Sequence, residues 1–138
     1  EVLYLEREDL ISSSDLLCSL LPYADDGSTV LDQEFFQSMK TGPYFMHCGG
    51  SGVVPEELII EALSSGKLAG AALDTFSWEP MKPDHPILKE SRNQRLNLIL
   101  TPHVAAGGTS LTKANSRTMY YEDIVRFING ESLLRELT

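Results

Sequence analysis

The sequence predicts an α/β protein in which helices flank a parallel sheet. Short apolar runs alternate with helical patterns of roughly 10–15 residues, the rhythm of βαβ units. The run "LLCSLLP" (16–22) is continuously apolar and stops at Pro22, as expected of a strand covered on both faces. Glycines and prolines punctuate the ends of most runs.

Composition narrows the class. The 138 residues are enough for one domain, or part of one. Hydrophobic residues make up 42% and charged residues 22%, ordinary for a globular core. A net charge of −9 argues against a nucleic-acid phosphate footprint. No apolar run approaches a membrane span, and no basic stretch leads into an apolar one near Glu1. A cytoplasmic protein is expected. Two cysteines, Cys18 and Cys48, form neither a disulfide framework nor a zinc signature, and two buried thiols are expected.

The elements follow in order. "VLYL" (2–5) reads as a strand and "REDLISSS" (7–14) as a short helix or turn. After the 16–22 strand, "YADDGST" is loop. Asp32 caps a helix "QEFFQSMK" that Gly42 stops. "PYFMHC" (43–48) is a strand. The helix "PEELIIEALSSGK" has Pro55 in its first turn, Glu56 and Glu57 at its positive end, and a stripe of Leu58, Ile59, Ala62 and Leu63. Gly66 ends it. "LAGAALDTF" (68–76) is a strand. "SWEPMKPDHP" holds three prolines in ten residues and is loop. "LNLILTPH" (96–103) is the last strand. Residues 109–129 read as one long helix with Tyr121, Ile124, Val125 and Ile128 at helical spacing, ended by Gly130.

In such sheets ligands bind beyond the carboxyl ends of the strands. Those positions hold Pro22, "CGGSG", "DTFSWEP" and "PHVAAGG". "CGGSGVVP" imitates the dinucleotide fingerprint G-x-G-x-x-G in its first half. Its third glycine position, however, is Pro55, whose ring cannot supply close helix–strand packing. Asp74, 24 residues after Gly50, tempts assignment as the ribose acid. A glycine-rich turn needing positive φ explains the loop equally well.

Taken together the strand ends decide the matter. "SGKLAGAALDTFSWEP", "LTPHVA" and "FINGE" resemble the D-isomer-specific 2-hydroxyacid dehydrogenases, in the C-terminal part of their coenzyme domain. The resemblance implies a partial Rossmann-like sheet lacking the first βαβ unit. It implies a partial coenzyme-binding domain over 1–106 and, over 107–138, a helix resembling the crossover to the catalytic domain. Residues 2–5 would be the family's third strand, so a fragment of a longer chain is expected. The implied coenzyme is NAD or NADP, the partner a small 2-keto or 2-hydroxy acid, and a homodimer is possible by resemblance. No metal is expected.

The resemblance also carries over to individual positions. His103 matches the acid/base histidine and Glu79 the carboxylate that hydrogen-bonds it. Asp74 matches an acid near the nicotinamide end, with Pro22, Cys48 and Gly49 lining the coenzyme. The chemistry agrees with the pairing. Oxidising a C–OH carbon also requires loss of the hydroxyl proton. An imidazole titrates near neutrality, and a carboxylate partner orients it and favours its charged form.

Two positions depart from the family. Its pattern N-T-A-R-G-G places an arginine where this chain has Gly50, and a bidentate grip on the substrate carboxylate is lost. Leu20 stands where a histidine is common. Lys40 and Lys67 sit at the far ends of helices, and His47 is expected to pack in the sheet. The expected function is hydride transfer between a 2-keto acid and a D-2-hydroxy acid by the longer chain. The alternative is an impaired relative that serves as a binding or regulatory module.

Overall fold

The computed structural model describes residues 2–23, 30–105, 121–132 and 134. Two compact units are present, Glu1–His103 and Val104–Thr138. The first is a four-stranded, all-parallel sheet with sequential order β1-β2-β3-β4: β1 Leu16–Ser19, β2 Tyr44–His47, β3 Gly70–Leu73 and β4 Leu98–Leu100. Helices α1 Arg7–Ser13, α2 Gln33–Ser38, α3 Glu56–Ser64 and α4 Pro86–Glu90 accompany it. This is the α/β, Rossmann-like sheet with flanking helices that the sequence predicts.

Local chemistry places the helix ends. Asp32 accepts the Phe35 N–H at 3.0 Å, the expected cap. α2 ends at Ser38, earlier than predicted. The Lys67 ammonium binds the Gln37 carbonyl at 3.0 Å and also the Met39 carbonyl, so a cation closes the negative end of the helix. Gly66, at φ 75°, ends α3 as expected. α4 lies in a stretch with no predicted element. Pro86 occupies its first turn, where a missing N–H costs nothing, and Ile87 is completely buried.

The strands advance in one direction across the sheet. Right-handed crossovers therefore put their helices on one face. That face carries the rows Leu17–Phe45–Ala71–Leu98 and Ser19–His47–Leu73–Leu100. Phe35, Phe36 and Phe45 pack edge to face there, with centroids 5.2–6.0 Å apart. On the opposite face Leu16, Tyr44 and Ile99 are each at least half exposed.

Several expectations are corrected. β1 is not covered on both faces, because every helix between the strands lies on one side. For the same reason Cys18 is an exposed thiol, while Cys48 is half-buried. Residues 2–5 form no strand. Among the described residues no strand lies beyond β1 for them to pair with, and Tyr4 is almost fully exposed.

In the second unit, residues 121–128 are helical. The Gly130 N–H donates to Phe127 and the Glu131 N–H to Arg126, closing the helix with the expected glycine at φ 73°. Tyr121, Ile124, Val125 and Ile128 are exposed. The rest of the predicted helix, 109–120, lies outside the described residues, as do 24–29 of the "YADDGST" loop. No helix among the described residues is long and apolar enough to cross a membrane.

Candidate active site

The carboxyl ends of the four strands carry the candidate site residues Pro22, Cys48, Gly49, Asp74, Glu79 and His103. Beyond β4, Thr101-Pro102-His103 turns sharply. The His103 N–H reaches back to the Thr101 carbonyl at 3.0 Å, and His103 sits at φ 52°. The left-handed region is uncommon for a side-chain-bearing residue, although histidine enters it more often than most. Such strain of about 1–3 kcal/mol concentrates at functional sites.

His103 Nδ1 lies 2.6 Å from Glu79 Oε2. A carboxylate only accepts, so Nδ1 carries the proton. In the neutral ring that leaves the Nε2 lone pair as the base. The other Glu79 oxygen, Oε1, accepts the Phe76 N–H at 2.9 Å, which stops the carboxylate from rotating away. The hydrogen bond to Glu79, and then its charge, raise the His103 pKa above the ordinary 6.5, with a smaller push from Asp74. The same bond holds the Glu79 carboxyl below its ordinary 4.5. The two groups form an ion pair between those limits. Beside them is a cavity of about 440 Å³, lined mainly by apolar groups including Phe76, Pro80, Met81 and Leu100.

Asp74 is only 3% exposed. Its Oδ1 accepts the Thr101 hydroxyl, and its N–H donates to the His47 carbonyl at 3.0 Å. It therefore ties the end of β3 to the turn that presents His103. Glu56, buried in the first turn of α3, accepts both the Ser77 N–H at 2.6 Å and the Ser77 hydroxyl at 2.9 Å. Neither Glu56, Ser77 nor Thr101 stood out in the sequence. Glu56 and Ser77 are 21 positions apart on different elements, and no spacing rule links them.

The ends of β1 and β2 are built differently. The Cys48 N–H donates to Ser19 at 3.1 Å and the Gly50 N–H to Leu21 at 2.7 Å. A Cβ on Gly49 would lie 2.3 Å from the Leu21 carbonyl oxygen, and one on Gly50 would lie 2.1 Å from the Tyr23 nitrogen. The two glycines are needed because the backbone of 20–23 lies against them. Positive φ is not their reason; in this loop it occurs at Gly52, at 79°. Pro22 is exposed beside this junction, and Leu20 is exposed too. Burial raises the Cys48 thiol pKa, with the charges of Asp74 and Cys18 adding to it.

His47 packs in the sheet as expected and is 1% exposed. Its Nε2 donates to the Gly50 carbonyl at 3.1 Å, leaving Nδ1 to accept the Ser19 hydroxyl at 3.1 Å. Burial lowers its pKa, against the Gly50 bond and the charge of Glu56. Lys40 binds Asp15 and the Ser13 carbonyl, at the opposite end of the strands from the site, so neither it nor Lys67 substitutes for an arginine at 50.

The backbone geometry tests the fit of a dinucleotide. Loops after β1, β2 and β3 converge at the carboxyl edge, where such ligands cross parallel sheets. The space beside Gly49 and Gly50 is filled by chain, so these glycines cradle no phosphate. The residues fit one end of a coenzyme site, with Asp74 and the Glu79–His103 pair beside it.

Comparison with known proteins agrees. Residues 1–105 match the family model described as D-isomer specific 2-hydroxyacid dehydrogenase, NAD binding domain. The chain is 32% identical over 130 residues to glyoxylate/hydroxypyruvate reductase B of Enterobacter sp. (strain 638), covering 94% of this chain and 38% of that protein. It is also 32% identical over 128 residues to the glyoxylate reductase of Aeropyrum pernix, covering 93% of this chain and 36% of that protein. A solved NADPH-dependent glyoxylate/hydroxypyruvate reductase of Sinorhizobium meliloti, in complex with NADP and sulfate, superposes with a TM-score of 0.75 at 30% identity. It covers 92% of this chain and 39% of that one. The chain thus spans well under half the length of these three relatives. With a family model matched over most of its length and the pair in place at the strand ends, the chain belongs to the D-isomer specific 2-hydroxyacid dehydrogenases, in their NAD binding domain.

Proposed function

We propose that this chain supplies the acid/base side of an NAD(P)-dependent interconversion of a 2-keto acid and a D-2-hydroxy acid, carried out by the full-length protein. The observation that carries it is the Nδ1–H bond from His103 to a Glu79 carboxylate that is itself held by the Phe76 N–H. Held this way, His103 keeps its Nε2 for the substrate, since Nδ1 is committed to Glu79. In reduction it gives a proton to the developing alkoxide; in oxidation it takes the hydroxyl proton. Glu79 orients the ring and stabilises the imidazolium. A bound nicotinamide coenzyme supplies or accepts the hydride. Pro22, Cys48, Gly49 and Asp74 line its nicotinamide end in this reading. Residues 1–106 serve as the partial coenzyme domain and 107–138 as the crossover.

Glyoxylate and hydroxypyruvate are the substrates to try first, from the names of the relatives. Gly50 has no side chain to grip the substrate carboxylate, so this reading requires that another group of the full-length protein do so. The relatives are reductases and dehydrogenases, so a purely regulatory module has no support from them. The test is turnover of either substrate by the full-length protein with NADH or NADPH. Replacing His103 with Gln is expected to lower kcat/KM by about 100- to 10,000-fold. Absence of turnover with both coenzymes and both substrates would remove the proposal.

A further inference from the structure

Glu56 and Asp74 are the buried carboxylates among the described residues, at 5% and 3% exposed. Taking a carboxylate out of water costs several kcal/mol unless its oxygens are satisfied. Each of the two meets that cost on a loop that carries one member of the pair. Asp74 holds Thr101, two residues before His103. Glu56 holds Ser77, two residues before Glu79.

The Glu56 contact reaches between elements. The loop after β3 leaves the ladder at Asp74, and within it the Phe76 N–H holds Glu79. Ser77, between them, donates both its N–H and its hydroxyl to separate Glu56 oxygens. Two bonds from one residue to one rigid carboxylate fix orientation as well as position. The remainder of the buried α3 stripe is Ile59, Ala62 and Leu63, so a carboxylate here is not explained by packing. We propose that Glu56 is a positioning residue for the Glu79–His103 pair: through Ser77 it sets the loop from which Glu79 reaches the His103 ring. This rests on the catalytic reading of that pair.

The test uses the full-length protein, in which the His103 imidazole is identified by the NMR signal that His103→Gln removes. The charged groups acting on His103 are Glu79 and Asp74. Glu56 is not among them, so its removal acts on His103 through position rather than field. Glu79→Gln is expected to bring the His103 midpoint back toward 6.5. Glu56→Ala should produce at least half that fall. Glu56→Gln, which keeps an acceptor for the Ser77 N–H and a donor for its hydroxyl, should leave the midpoint near the parent value. If Glu79→Gln lowers the midpoint and folded Glu56→Ala does not, the positioning role is overturned and the pair stands. If Glu79→Gln itself moves nothing, the pair is overturned, and the proposed function with it. Should Glu56→Ala not fold, Glu56→Asp carries the test. One methylene shorter, it withdraws the carboxylate from Ser77 but keeps its charge at the helix end, and an unmoved His103 midpoint then overturns the role.

Discussion

His47 closes β2 with 1% exposure, whereas the His103 side chain, beyond β4, is 56% exposed. Both imidazoles make short polar contacts, yet their partners push them in opposite directions. His47 meets a hydroxyl and a carbonyl, neither charged, and burial lowers its pKa. His103 meets a carboxylate at the surface and its pKa rises. One ring is a neutral strut between the end of β1 and the loop after β2. The other is exposed and poised to exchange a proton with solvent. The glycine loop after β2 is similarly a backbone joint, while the loops after β3 and β4 carry side-chain chemistry. Sharing the carboxyl edge of a sheet does not make a residue part of the site; its partners do.

The comparison breaks most severely at Gly50. Gly50→Arg restores the family residue, but its Cβ would meet the Tyr23 nitrogen at 2.1 Å. A loss of about 3 kcal/mol is expected from overpacking against backbone, with no gain in kcat/KM. Denaturant melts of the variant check the first part. Improved turnover at unchanged stability would show that the 20–23 segment yields easily.

The histidines also give opposite pH dependences. His103 has its pKa raised, so its contribution is fully present below 6.5 and is lost as pH rises through the higher folded value. His47 has its pKa lowered, so its contribution is present above 6.5 and is lost as pH falls through the lower folded value. For the buried His47 the slope reaches at most about 1.4 kcal/mol per pH unit. His47→Asn should flatten the loss on the acid side of 6.5 while leaving the alkaline side unchanged. Urea melts at a series of pH values measure both limbs, and an unaltered acid limb would contradict the buried neutral assignment.

A smaller effect is expected at Thr75. Its hydroxyl is buried and has no partner among the described residues. Thr75→Val keeps the shape and removes the orphan, and a gain of about 1 kcal/mol is expected. Thermal melts would reveal a hidden partner if stability instead fell. Glu79→Gln should cost least in folding, because exposed ion pairs contribute little. Its mark belongs in the pH profile of kcat/KM, whose histidine limb should move toward 6.5.

Much of this was legible beforehand. Apolar runs, proline and glycine stops and the Asp32 cap located the main elements, because local backbone preferences and burial periodicity act over a few residues. Motif resemblance put Glu79 and His103 together across 24 positions, and the structure bonds them. Other features were not legible. The one-sided cover of β1 is not legible, because an apolar run does not say which faces the helices cover. α4 is not legible either, because a helix of five residues leaves no periodicity to read. Glu56 looked like an ordinary acid at a helix start, since its partner Ser77 comes from the next strand's loop.

By itself, the amino-acid sequence determined the order of the four strands with α2 and α3 between them, the family, the pairing of Glu79 with His103, and the absence of an arginine at 50. These rest on local propensity and on motifs that lie within short stretches of chain. Only the tertiary structure decided why Gly49 and Gly50 are glycines, which groups His47 bonds, and what holds Glu79 in place. Each of those depends on atoms brought to within about 3 Å by separate strands and loops, and that proximity is created by packing rather than by sequence spacing.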